Sequence, residues 1–252
     1  MARGICPLAM QADRSVLSPS GRERALVDYA FIRHNLLTID AALDFPAQQL
    51  VTPHTGTVMV ELEDVTDQFD EVKRVRNRRL LARLFLSRRN EANWSKPARI
   101  YKVRPATANN PLAFPAYICP YRDNETHSLT VRNDARVMFT GEMDGCTFGI
   151  GMPNMFGHVR VAHSNAQNLA QGTHWNPNFA PQRQAQTQNV TAQNAGDFRV
   201  EPDRYRVNAP DGTEFKAVVI GLSDGRDWRF YYQHQQVDGG ALRNLMKLVC
   251  LN

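Results

Sequence analysis

Cysteine is scarce and scattered in this chain. Its 252 residues hold four, Cys6, Cys119, Cys146 and Cys250, with no Cys-x-x-Cys pair and no histidine at a metal-ligand spacing. That argues against a disulfide scaffold or a zinc site and for a reducing working compartment. No metal and no cofactor is expected. Long apolar runs are missing too, and none approaches the roughly 20 residues of a membrane-spanning helix. The opening Met-Ala-Arg-Gly-Ile-Cys-Pro-Leu-Ala-Met is too short and too broken for a secretory signal peptide. Export through a dedicated injection system would leave no such signal. The net charge of +5 is modest for this length and favours acidic partners only weakly. Zinc-finger, RNA-recognition and helix-turn-helix signatures are absent, so a nucleic-acid partner is not expected.

What is present is an ordinary globular composition, 42% hydrophobic and 22% charged. A single domain over 1–252 is expected, mostly helical over 1–97 and β-rich over 98–252. From Arg22 to Leu43 the residues Leu26, Tyr29, Ile32, Leu36, Ile39 and Leu43 recur at helical spacing, with Ser20 as N-cap. Thr57–Leu62 reads as a strand. Asp64–Asn90 reads as a second helix, capped by Asp64 or Thr66. Its segment 73–89 holds eight basic residues and no acidic one. An amphipathic stripe of Phe69, Val72, Val75, Leu80, Leu84 and Phe85 makes a solvated basic face the plainer reading of that helix. Contact with anionic lipid or an acidic target is the functional alternative.

Later segments change period. Short alternating strands are predicted at Arg99–Val103, Ala116–Cys119, Ser128–Arg132, Ala135–Phe139, Asp197–Val200 and Tyr205–Val207. Glu214–Leu222 and Trp228–Gln235 flank an Asp-Gly turn and predict a hairpin. Gly239–Leu248 is predicted as a closing helix. Residues 166–196, dense in Gln, Asn, Ala and Thr, show no apolar period and predict a long surface loop, open to early proteolysis. The expected class is α+β: an antiparallel β-sandwich-like core flanked by helices, with a helical N-terminal third. A monomer is expected.

Between these strands lies the stretch that carries chemistry, Thr140 to Asn165. Cys146, Phe148, Ile150 and Met152 alternate on one strand face; Val159, Val161 and His163 alternate on the next. The turn composition Pro153-Asn154-Met155-Phe156-Gly157 separates them. A turn centred between Asn154 and Met155 pairs Ile150 with Val159, Phe148 with Val161, and Cys146 with His163. Directly opposed residues have Cβ atoms about 4.5–5.5 Å apart, a thiol–imidazole geometry suited to a nucleophile and its base. Pairing Cys146 with His158 instead would break the apolar match. Gly145 lets the backbone approach a substrate and aim amides at an oxyanion. Thr140, Asp144 and Asn165 are candidates to position the imidazole.

These residues resemble the cytotoxic necrotizing factor and Burkholderia lethal factor family of bacterial toxins. That family has Ser-Gly-Cys at the start of a strand and a histidine at the end of the next. Gly145-Cys146 and His163 match it, and Thr140 stands six residues before Cys146, as in the lethal-factor branch. Asp144 replaces the family's serine. The resemblance implies deamidation of a glutamine on a host protein through a Cys–His thioester mechanism. It implies a secreted or injected toxin working in the host cytoplasm on a small GTPase or a translation-initiation helicase. A transglutaminase or a cysteine protease could use the same pair. A non-enzymatic binding protein acting through the basic helix is the rival from another class.

Overall fold

The computed structural model describes residues 27–39, 56–69, 97–107, 109–166, 180–206, 214–238 and 241–251. The predicted basic helix 73–89 and the tail 1–20 lie outside them, as does the middle of the predicted loop with His174 and Trp175.

The described residues are mostly strand, so the α+β class with a helical N-terminal third does not hold. A short helix α1 (Tyr29–His34) begins at Asp28, whose carboxylate accepts from the Phe31 N–H at 2.7 Å. It ends after six residues because Asn35 is extended, and Leu36–Thr38 leave as strand β1. Both Leu36 and Leu37 are buried, one on each face of the strand. Then come β2 (Thr57–Asp64), a 3-10 turn (Thr66–Phe69), β3 (Ile100–Pro105), β4 (Phe114–Cys119), β5 (Thr126–Val131), β6 (Val137–Thr140), β7 (Thr147–Ile150) and β8 (Val159–Ser164). Helix α2 (Ala180–Ala192), β9 (Phe198–Val200), helix α3 (Pro202–Tyr205), β10 (Glu214–Ser223), β11 (Trp228–Asp238) and β12 (Ala241–Cys250) complete the order.

Three predicted elements are corrected. The closing helix Gly239–Leu248 is strand β12, paired antiparallel with β11; a neighbouring strand's ladder overrides local helical spacing. Tyr205, predicted to open a strand to Val207, instead ends the one-turn helix α3 that Pro202 opens, and Val207 lies outside the described residues. Residues 180–192 of the predicted loop are helix α2, whose buried stripe is Gln182, Gln186 and Val190. Its period is helical, but glutamine carries it, so no apolar pattern shows.

The strands form two sheets. The large one runs β1-β3-β2-β4-β6-β10-β11-β12, and the small one β5-β8-β7-β9. The large sheet is mixed rather than antiparallel, because β1–β3 and β4–β6 run parallel. Ala217 and Val219 of β10 face the small sheet and share a core with its Phe148 and Val161 and with Met138 and Phe230 of the large sheet. Val218 and Ile220 face the other way and meet Val60, Val103 and Ile32. Both faces of β10 are therefore buried, as its unbroken apolar run requires. The large sheet curls until β11 reaches β1 by side chains. Leu37 N donates to Gln233 Oε1 at 2.9 Å, and Gln235 Nε2 donates to Leu37 O at 2.8 Å.

Helix α2 covers the outer face of the small sheet. Gly149 lies so near it that a Cβ there would sit 2.1 Å from the Ala195 carbonyl. Arg160 and Ser128 of the same face bond to Gln193.

Candidate active site

One end of the space between the sheets is closed by two loops, 120–125 after β4 and 141–146 before β7. The second loop is pinned at Met143, which exchanges backbone hydrogen bonds with Ala217 of β10 at 2.8 and 2.9 Å. Gly141 N adds one to Cys119 O at 3.2 Å. Both loops meet Asn165, which follows β8: Asn165 N donates to Glu125 O at 3.0 Å, and Asn124 N donates to Asn165 Oδ1 at 3.3 Å.

The β7–β8 pairing differs from the predicted register by two residues. Ile150 opposes Val161, Phe148 opposes His163, and Thr147 opposes Ser164. The cause is the turn. Asn154 Oδ1 accepts from Phe156 N and His158 N, and Gly157 takes a left-handed φ of 74°, so the turn is longer and centred further on. A shift of two keeps every face. Cys146 and His163 both point inward, but they are diagonal neighbours, about 7–8 Å apart by strand geometry. In line with Cys146 stands Asn165, whose Nδ2 lies 3.5 Å from the sulfur. His158 sits at the hairpin tip against Phe156, away from the thiol.

His163 is buried among rings. Phe148 lies edge-on at 6.4 Å between centroids and Tyr121 tilted at 5.8 Å. His127 of β5 is its directly opposed residue on the other side. The Cys119 backbone lies against the His163 ring, but neither ring nitrogen makes a well-aligned hydrogen bond, and the imidazole and the Cys146 thiol are not joined in this state. Burial, helped by His127 and opposed by the Cys119 backbone, lowers its pKa to about 4. Burial pushes the Cys146 thiol well above its usual range, and the carboxylates of Asp144 and Asp123 push the same way, against Asn165. The resting pair is therefore neutral thiol and neutral imidazole.

The remaining candidates fall into two groups. Thr140 ends β6 fully buried, and its hydroxyl accepts from Val219 N at 2.9 Å, a bond that ties β6 to β10. Asp144 is exposed, two residues before the buried Cys146. The Gly145 carbonyl accepts from Gln186 Nε2 at 2.9 Å, while Gln186 Oε1 accepts from Thr147 Oγ1 at 2.9 Å. The Cys146 carbonyl accepts from the Tyr205 hydroxyl at 2.8 Å. Gln186 and Tyr205, which the sequence did not single out, thus fix the peptide on each side of Cys146. In a trans peptide the N–H points opposite to its carbonyl, so the Cys146 amide is aimed away from Gln186. Among the described residues, no group of three or more His, Cys, Asp or Glu could hold a metal, and no helix is long and apolar enough to cross a membrane.

No protein-family model and no curated protein matches this chain.

Proposed function

We propose that the chain is a bacterial toxin or effector that deamidates a glutamine side chain on a host protein, with Cys146 as nucleophile and His163 as base. One observation carries the reading: His163 is a 2% exposed imidazole with no well-aligned hydrogen bond to either nitrogen, on the same inner face as the thiol and one diagonal from it. Buried polar groups are ordinarily hydrogen-bonded, and such an exception fits a group kept free for chemistry. Catalytic hydrogen bonds are often long before substrate binds and tighten in the complex.

In the reaction, neutral His163 takes the thiol proton as sulfur attacks the carboxamide carbon. The Cys146 amide, held by the Gln186 and Tyr205 bonds, donates to the oxyanion. The carbon–nitrogen bond breaks, and ammonia leaves with the proton from His163. Water hydrolyses the thioester, leaving glutamate and the restored thiol. The test is intact-mass analysis of host-lysate proteins after incubation. The expected result is a gain of about one dalton per converted glutamine, absent with Cys146→Ala. Conversion that persists in Cys146→Ala, or none with the native chain, overturns the reading.

A further inference from the structure

Building on the deamidase reading of this mouth, we propose that Asp123 and Asp144 form an acidic collar that selects glutamines carried in basic segments of the partner protein. Both carboxylates are exposed, one on each of the loops that meet at Asn165. Asp144 stands two residues before the nucleophile and has no ion-pair partner among the described residues. Asp123 accepts from the Tyr121 hydroxyl, and the Tyr121 ring lies 5.8 Å over the His163 ring. The collar flanks the Cys146 thiol, and against Tyr121 lies an independent mark of a ligand site, the buried His163 imidazole with no well-aligned hydrogen bond. Other charges on these loops are offset: Glu142 is paired with Lys216 at 2.8 Å, and Glu125 lies 2.8 Å from His127 and 3.9 Å from Arg122. In a chain of net charge +5, two uncompensated carboxylates stand at the surface beside the buried Cys146.

The collar has a chemical consequence. Both carboxylates oppose formation of the Cys146 thiolate. A lysine or arginine that docks against them cancels that opposition, so a basic segment helps ionise the thiol as its glutamine arrives. An acidic segment is repelled and leaves the thiol protonated.

Two measurements test this. In the first, the native chain is labelled with a cationic methanethiosulfonate (ethylammonium) and an anionic one (ethylsulfonate), and labelling of the Cys146 peptide is followed by mass spectrometry. The cation should react about tenfold faster at low salt, and the Asp123→Asn/Asp144→Asn variant should react with the two nearly equally. Equal rates in the native chain, no labelling by either reagent, or an unchanged preference in the variant overturns the collar. In the second, peptides with glutamine flanked by Lys, Ala or Glu are assayed for ammonia release, and Lys should exceed Glu. Turnover without that order overturns the selectivity and leaves the deamidase reading standing. A labelling preference with no turnover of any peptide or host protein overturns the deamidase reading, and with it the substrate named here, while the cation-attracting mouth stands.

Discussion

Glu61 and His163 are both buried, and the fold treats them in opposite ways. Glu61, 4% exposed, accepts from Arg104 Nε at 2.8 Å, from Thr107 N and Oγ1 at 3.0 Å each, and from Asn110 Nδ2 at 2.5 Å. The Asn110 amide first, then the Thr107 N–H, hold its carboxyl down at about 2. His163 makes no well-aligned hydrogen bond, and burial holds its imidazole down at about 4 against the Cys119 backbone. Glu61 knots the end of β3, through Arg104, and the segment after it, through Thr107 and Asn110, to strand β2. A group placed for architecture is satisfied; His163 is left unsatisfied, which lowers stability and leaves two nitrogens free for a substrate or a proton.

The largest expected contrast is in activity. Cys146→Ser and His163→Ala should each lower glutamine deamidation by about a thousandfold or more, since a serine hydroxyl is far harder to ionise and the thiol has no other base. Circular dichroism should show both variants folded. Glu61→Gln should leave the rate per folded molecule unchanged, and a comparable collapse there would erase the distinction.

Acid should separate the two groups next. Unfolded histidine titrates near 6.5 and buried His163 near 4. Between those values the unfolded chain binds a proton that the folded chain refuses, so stability falls as pH drops from about 6.5 to about 4, by about 3 kcal/mol. His163→Phe should remove that fall. Glu61 has its ordinary value of 4.5 lowered to about 2, so its contribution is present above 4.5 and lost as pH falls through that lower window. Urea midpoints across pH would read both, and one fall common to both variants would defeat the separation.

At neutral pH the substitutions should differ in sign. Glu61→Gln weakens a satisfied cluster and should cost about 2 kcal/mol. His163→Phe breaks no hydrogen bond and removes two orphaned nitrogens, so thermal unfolding should show no loss or a gain of about 1 kcal/mol. The smallest effect is expected at the hairpin tip: His158→Ala should change stability by less than about 0.5 kcal/mol and the rate by less than about twofold. A larger rate effect would return His158 to the chemistry.

Much of the β-rich part could be read from alternation. The arms around Asp224-Gly225 pair as the turn predicts, Ser223 with Trp228, because Asp224 Oδ1 accepts from Arg226 N and Asp227 N at 2.9 Å. The inward facing of Cys146 and His163 also follows from period two. Their offset does not, since it depends on how Asn154 and Gly157 shape one turn. Helix α2 was hidden because its buried positions are Gln182 and Gln186, matched to the small outward residues Thr147, Gly149 and Gly151 of β7 and the residue after it. Polar periodicity beside a strand with small residues on alternate positions is the signal that could have found it. The contacts of Gln186 and Tyr205 with the peptides around Cys146 span 41 and 59 positions, beyond any local pattern. The N-terminal third misled because Leu36 and Leu37 satisfy a helical stripe and a doubly covered strand equally well.

The two glutamines that join β11 to β1 bear on how this chain behaves in a crowded cell. Leu37 N–H and C=O point away from β3, at the last described strand of the large sheet, and an exposed edge strand offers a template to any passing chain. Gln233 and Gln235 occupy both groups, and Gln233 also takes the carbonyls of Ile32 and Asn35 at 2.8 and 2.7 Å. The margin is thereby sealed by side chains that cannot propagate a ladder, so edge-to-edge stacking into fibrils is blocked where the sheet would otherwise be open to it.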